Sequence, residues 1–447
     1  MSNFIQADRN QRYLLPPDLR DWIPDDDMVH FVIEACEQVN LRHFRYNTRG
    51  SGSAQYHPQM MLALLVYSYA NGIFSSRRIE RATYRDIGVR FLTADTHPDH
   101  DTICKFRREN EAAIKAAFVH VLLLAKELGL VKLGNVSIDG TKLKANASKS
   151  RSIRYDRAGE LSKQLASDID ELLEQAKRAD DDDDDDDHLP SELARRGKLK
   201  EKLDAAREEL EQRAKDESVA QQDDYERKVE AREQRTGSSK GRIIKPLETM
   251  PKPTNQINLT DADSALMRKN KRSGYEQSYN AQATVDADGS QLIVGCHVSN
   301  NASDRNELVK GIESIPVALG KPQGVLADNG YASGDQVESL QRQELKVLVA
   351  TGKEGGQRKY DFRPATPVKP PPEIHKKWIK KMNEEMAKPD NRALYRRRQQ
   401  TVEPVFGIIK AVLGFTHFRL RGIERVGIEW QLIALAYNCK RVHRLCC

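Results

Sequence analysis

The stretch Asn135-Val136-Ser137-Ile138-Asp139-Gly140-Thr141-Lys142 decides how this chain reads. Val136 and Ile138 alternate with Ser137, which predicts a short buried strand. Asp139 stands where the apolar side chains stop, and Gly140 lets the backbone turn away. A carboxylate at that point is either solvated at a strand end or gathered with other acids around a metal. One Asp does not decide between the two.

A second strand ends the same way. Gly324-Val325-Leu326-Ala327 leads into Asp328-Asn329-Gly330-Tyr331, again an apolar run, an Asp and a glycine. A third acid, Glu403, lies in Thr401-Val402-Glu403-Pro404-Val405-Phe406-Gly407-Ile408-Ile409-Lys410, whose apolar positions recur at helical spacing. Two Asp on strand tips and one Glu on a helix can converge on two hard cations. Mg²⁺ takes carboxylate oxygen in octahedral geometry and keeps several waters. A pair of such ions about 3.5–4 Å apart clamps the attacking and leaving oxygens of a phosphodiester displacement.

These residues carry a resemblance. VSIDGTKLKANAS, VLADNGYAS and TVEPVFGIIK resemble the three acidic motifs of the DDE transposases encoded by bacterial insertion sequences. Tyr395-Arg396-Arg397-Arg398 ahead of Glu403 and Lys410 is similar to the Tyr…Arg…Glu…Lys signature of one group of them. Tyr279-Asn280-Ala281-Gln282-Ala283 and Trp430…Tyr437-Asn438 extend the likeness over nearly the whole chain.

The resemblance implies that Asp139, Asp328 and Glu403 are the catalytic and metal-binding acids. It implies two Mg²⁺ (or Mn²⁺) ions, with Asp139 bridging them and Asp328 and Glu403 each completing one. It further implies a double-stranded DNA substrate, both element ends and target, and a homodimer on that DNA. The activity implied is cleavage of the ends of a mobile element and joining of its 3′ ends to target DNA. The alternative is a non-catalytic DNA-binding derivative, or a nuclease without strand transfer. Tyr395, Arg396, Arg398 and Lys410 are the DNA contacts the signature suggests. Lys410 and Arg396 each lie seven residues from Glu403, two helical turns, so all three share a face. Four residues separate Arg398 from Glu403 where the usual pattern has three, and Pro404 disfavours α conformation at Glu403. A kink or restart is expected there, which leaves open which of Arg396, Arg397 and Arg398 fills the signature's arginine.

At 447 residues the chain can bury a large core and divide into two to four domains. No apolar run reaches the roughly 18 residues of a membrane span, and no basic-then-apolar leader opens the sequence, so a cytoplasmic protein, nucleoid-associated when on DNA, is expected. The six cysteines are scattered without zinc-finger spacing and read as reduced thiols. The net charge of +6 is unevenly placed. From Ala365 to Cys447, 17 Lys and Arg face 7 Asp and Glu, and the remainder of the chain is acidic. A basic block beside carboxylates suits a polyanion held by its backbone.

Residues 1–130 read as an all-helical, DNA-binding domain. Asp25-Asp26-Asp27 would cap a first helix, Pro58 opens an apolar one, Ser75-Ser76 caps one bearing Arg77 and Arg78, and Asp101 caps another. Short helices with arginines on one side can form a helix-turn-helix, with Arg77 and Arg78 on DNA, or a plain helical bundle with a charged surface. His97, His100 and Cys104 read as a turn rather than a zinc site.

The catalytic core opens over 131–154 and is interrupted over 155–250 by a charged insertion. Two narrow leucine stripes there flank eight successive aspartates, Asp180 to Asp187, which predicts a helical hairpin with a solvated acidic turn. The core resumes over 251–350: paired strands around Asp288-Gly289, a helix beginning at Asp304, the Asp328 strand, a helix and the strand Lys346–Ala350. Residues 351–390 read as a linker with Gly355-Gly356 and Pro370-Pro371-Pro372, then a basic helix whose Lys376, Lys377, Lys380 and Lys381 would contact DNA. Trp378 among them either stacks on a base or anchors the helix to the core. Residues 391–447 supply the Glu403 helix and the C-terminal helices. This order of elements is that of an α/β ribonuclease H-like core with an N-terminal all-helical domain and a charged helical-hairpin insertion.

Overall fold

The computed structural model describes residues 18–49, 54–182, 189–234, 244–269, 272–352 and 376–446. The chain forms two compact units: Met1–Leu143 with Asn280–Leu420 and Glu424–Cys447, and Lys144–Tyr279 with Arg421–Ile423. The readings made for the extreme N-terminus, for Gly355-Gly356 and Pro370-Pro371-Pro372, and for 183–187 of the aspartate run lie outside the described residues.

The first unit opens with helices α1 (Met28–Glu37), α2 (Pro58–Ala70), α3 (Ser76–Arg85), α4 (Ile87–Leu92), α5 (His100–Glu109) and α6 (Glu111–Glu127). Asp27 caps α1 through the Val29 N–H, and Pro58 starts α2, where its missing N–H is no loss. Every residue of α2 from Met61 to Ala70 is buried, so it is the central helix of this region. The cap of α5 is Asp99, not Asp101: its carboxylate accepts from the N–H groups of Asp101 and Thr102. His97, in the segment ahead of α5, stacks on Tyr84, and His100, the first residue of α5, pairs with Glu80.

β1 (Asn135–Lys144) follows, and its continuation passes into the second unit. That unit holds β2 (Ser152–Arg154), α7 (Tyr155–Asp182), α8 (Leu189–Glu233), β3 (Gln256–Asn258) and β4 (Ala265–Met267). Tyr155 bonds Glu211 and Ser162 bonds Asp204, so α7 and α8 run antiparallel as a hairpin. Ala206, Leu210 and Ile257 form its small core, with Ile153 and Tyr155 packed against it.

β5 (Glu276–Asp286) returns to the first unit, followed by β6 (Ile293–Ser299), α9 (Leu308–Glu313), β7 (Gly324–Ala327), α10 (Gly334–Arg342) and β8 (Lys346–Val349). Within this unit the strands lie in the order β6-β5-β1-β7-β8, antiparallel between β5 and β6 and parallel along β1-β7-β8. The helix expected to begin at Asp304 begins only at Leu308, because Asp304 is held elsewhere. Three helices close the chain: α11 (Lys377–Ala387), α12 (Pro389–Gly407) and α13 (Ile423–Cys446). The whole is a mixed α/β fold with a helical N-terminal region.

The expected break at Glu403 is absent. α12 runs through Pro404 and passes at Ile408–Val412 into a π-helical turn. Pro404 has no N–H for the carbonyl of Gln400, and that carbonyl accepts instead from Gln291 Nε2 at 2.7 Å. The irregularity therefore falls after the proline, as a widened turn, rather than before it.

Candidate active site

The site grows from the parallel pairing of β1 with β7. Their register is Asn135 with Gly324 through Ile138 with Ala327, so the next residue on each strand is the acid. Asp139 and Asp328 thus leave the same edge of adjacent strands, whose spacing is about 4.8 Å. β1 itself continues to Lys144, so Asp139 lies mid-strand and not at its tip; what ends there is its partner. Asp328 caps a single turn by accepting from the Gly330 N–H at 2.7 Å. The carboxyl ends of parallel strands are the usual position for ligands in α/β sheets.

α12 brings the third acid. Its Thr401 Oγ1 lies 2.9 Å from Ser137 Oγ, and Tyr395 donates to the Ala327 carbonyl at 3.2 Å, seating the helix across β1 and β7. Val402, Val405 and Phe406 are buried on the same helix. Arg398 is on this inner side. Its guanidinium lies 3.3 Å from Asp139, 3.7 Å from Asp328 and 4.0 Å from Glu403. The side chain is 10 % exposed, against 20 % for Asp139, 44 % for Asp328 and 56 % for Glu403. One buried cation is therefore shared by three acids that 188 and 74 residues separate in sequence. Arg398 and Glu403 do not share a helix face; only the length of the arginine joins them.

The π-helical turn sets the last signature residue. Lys410 Nζ donates to Thr141 Oγ1, two residues beyond Asp139 on β1. Burial pushes the Asp139 carboxyl up to about 6, against the pull of Arg398 and of the Gly140 N–H; Asp328 and Asp304 push in the same direction as burial. Asp304, an acid outside the three motifs, is thus part of this environment. Its Oδ1 accepts from Asn280 Nδ2 and Gln282 Nε2, both at 2.7 Å. The signal for it was Asn280 and Gln282 at alternate positions of a buried strand, two amides on one face that need a partner.

The other predicted residues are more dispersed. Of the arginine triplet, Arg396 and Arg397 are exposed, and Arg397 reaches Asp288 at 3.9 Å. Only Arg398 enters the acid cluster, so its place is inside the site and not on an open DNA-facing surface. Tyr395 is half-buried against β7. Lys376 precedes α11, and Lys377, Lys380 and Lys381 are exposed along it. Trp378 packs close to Gly334, whose added Cβ would lie 2.8 Å from the indole nitrogen, so it anchors α11. Arg77 and Arg78 are exposed on α3.

Among the described residues no three Asp, Glu, His or Cys side chains already enclose a cation site. The acids are spread around Arg398. The donor set nevertheless suits a hard divalent ion, being carboxylate oxygen throughout. Arg398, whose Nε has no hydrogen-bond partner among the described residues, is the cation that these three carboxylates surround.

Residues 249–439 match the family described as Transposase DDE domain, and residues 17–109 match Transposase domain (DUF772). The chain belongs to the insertion-sequence DDE transposases. No curated protein and no solved structure matches it. The DDE-domain match takes in Asp328, Glu403 and Lys410 of the transposase; Asp139 lies between the two matched segments and is tied to the second by the β1–β7 pairing. The family makes DNA the substrate. No helix among the described residues of the transposase is long and apolar enough to cross a membrane.

Proposed function

We propose that this transposase cleaves the ends of a mobile DNA element and joins the freed 3′ ends to target DNA, using Asp139, Asp328 and Glu403 on a ribonuclease H-like core. The observation that carries this is the convergence of the three acids on one buried guanidinium. The strand order β6-β5-β1-β7-β8, with α12 laid across β1 and β7, supports the assignment of the core.

The acids would hold two Mg²⁺ or Mn²⁺ ions. Bound there, such ions polarise the phosphodiester and favour both the attacking and the leaving oxygen. Asp139 is the most enclosed of the three and faces Asp328, so it is the residue able to serve both positions. Asp328 and Glu403 would each supply carboxylate oxygen to one ion. Thr401 and Ser137 fix α12 against β1 and thereby set the distance of Glu403 from the two aspartates. Lys410, held beside Thr141, places a positive charge next to the acids, where a phosphate would arrive. Arg396 and the lysines of α11 are exposed cations suited to the DNA backbone, and Arg77 and Arg78 of α3 to the element end. No covalent protein intermediate is needed, so Ser137 and Thr141 are structural.

The test uses a duplex carrying the element end and flanking DNA, labelled at the 5′ terminus of the strand whose 3′ end is to be freed, with a supercoiled target and Mg²⁺. Nicking at the end followed by appearance of label in the target is expected. Nicking without joined product would leave a nuclease. Binding without nicking, in Mg²⁺ and in Mn²⁺, would overturn the catalytic reading.

A further inference from the structure

We infer that Asp304 supplies a fourth carboxylate to the cation site formed by Asp139, Asp328 and Glu403, with Asn280, Gln282 and Tyr331 as its positioning residues. The inference rests on the three-acid reading above and goes beyond the three motif acids.

Asp304 lies beside both Gly140, next to Asp139, and Gly330, two residues after Asp328. A Cβ added at Gly140 would collide with Gln282 Nε2 and lie 2.7 Å from Asp304 Oδ1. One added at Gly330 would lie 3.4 Å from Asp304 Oδ2 and 2.9 Å from Asp328 Oδ1. Side chains at either position would occupy the space through which Asp304 approaches the β1–β7 edge. The absence of a side chain at both is what lets a loop acid come this close.

The carboxylate is also oriented. Asn280 and Gln282, on one face of β5, are 1 % and 0 % exposed, and both donate to Oδ1. The Gln282 amide is fixed in turn, because the buried Tyr331 hydroxyl donates to its Oε1. That bond leaves Gln282 only its NH₂ for Asp304. Two buried donors on one oxygen are a large investment for a surface loop; with Oδ1 so held, Oδ2 is left on the Gly330 side, beside Asp328. Tyr331 follows Asp328 by three residues, so the turn that presents Asp328 also presents the hydroxyl that sets Asp304. A ligand is indicated independently by Arg398. Its guanidinium, nine-tenths buried and with Nε unpartnered among the described residues, already stands among Asp139, Asp328 and Glu403 as a cation. Four carboxylates against the Arg398 guanidinium and the Lys410 ammonium still leave an excess of negative charge, which a divalent cation relieves and a phosphate alone aggravates.

The experiment is Mn²⁺ binding to the full chain without DNA, followed by electron paramagnetic resonance and by calorimetry. Asp304→Asn should weaken Mn²⁺ binding at least ~10-fold, the lower end of what loss of a supporting group at a metal site does. Asp304→Glu should recover part of that. Tyr331→Phe, which removes only the hydroxyl and leaves every carboxylate in place, should weaken binding in the same direction while keeping the wild-type melting transition. If Asp304→Asn fails to fold, Asp304→Glu and Tyr331→Phe carry the test. Wild-type Mn²⁺ affinity in these variants, with Asp139→Asn impaired, would overturn the role of Asp304 and leave the three-acid site standing. Unchanged affinity in Asp139→Asn as well would overturn both.

Discussion

Arg398 answers to three carboxylates at once, and its removal should be felt most when no divalent ion is present. Arg398→Gln would leave Asp139, Asp328 and Glu403 facing each other without a counter-charge. Breaking a fully buried pair costs about 3–5 kcal/mol, and two of these acids are half exposed, so a loss nearer ~1–3 kcal/mol is expected. Melting in EDTA should show that loss, and Mn²⁺ should raise the variant more than the wild type. Equal shifts in both would mean that Arg398 is no stand-in for the ion. Asp139 and Asp328 were legible because each ends an apolar run and stands beside a glycine, a pattern contained within eight residues, although only Asp328 precedes a turn. Asp304 was not. It reads locally as a helix start, and only the β5 amides, more than 20 residues upstream, draw it to the site. Asp101 shows the same limit at short range: the carboxylate that caps α5 is that of Asp99, two residues earlier.

At the scale of elements, α12 is where sequence rules and structure part. The proline rule concerns the backbone bond that Pro404 cannot make, and it does not foresee Gln291 supplying a donor from another segment. A π-helical turn has no simple periodicity to betray it, although such turns recur at functional sites. The β5–β6 turn offers a test of burial. Asp286 is fully buried, and burial raises its carboxyl above the ordinary value, against hydrogen bonds from Ser290. A carboxyl raised in the folded state contributes stability that is present below its unfolded pKa and lost as pH rises through the folded one. The wild type should therefore lose melting temperature relative to Asp286→Asn as pH is raised from below 3.8 through that higher value. A constant difference across the range would show that Asp286 titrates normally. On α11 the exposed lysines predict a salt effect. Changing Lys376, Lys377, Lys380 and Lys381 to Ala should weaken binding to all duplexes alike. The log–log salt slope should flatten by up to about 3 to 4, since each phosphate that a lysine no longer neutralises takes away about 0.9; an unchanged slope would remove α11 from the interface.

Across the whole molecule, the interruption between Asp139 and Asp328 was plain from composition: aromatic-poor, highly charged and striped with leucine. The hairpin of α7 and α8 follows from those stripes, which bury one another only in part. Less visible was that the second unit extends from Lys144 to Tyr279 and has a small core of its own around Leu210 and Ile257. That core joins residues about 50 apart, a pairing that no local period announces. What unites the molecule is that β1 and β7, on either side of this excursion, still pair in register and set two acids side by side. The most direct measurement of this account is the single-turnover nicking rate of Asp139→Asn on end-bearing duplex with saturating Mn²⁺. The variant should bind the duplex at least as tightly as the wild type, since one negative charge near phosphate is gone, and its nicking should fall to background. Nicking at the wild-type rate would contradict the three-acid site.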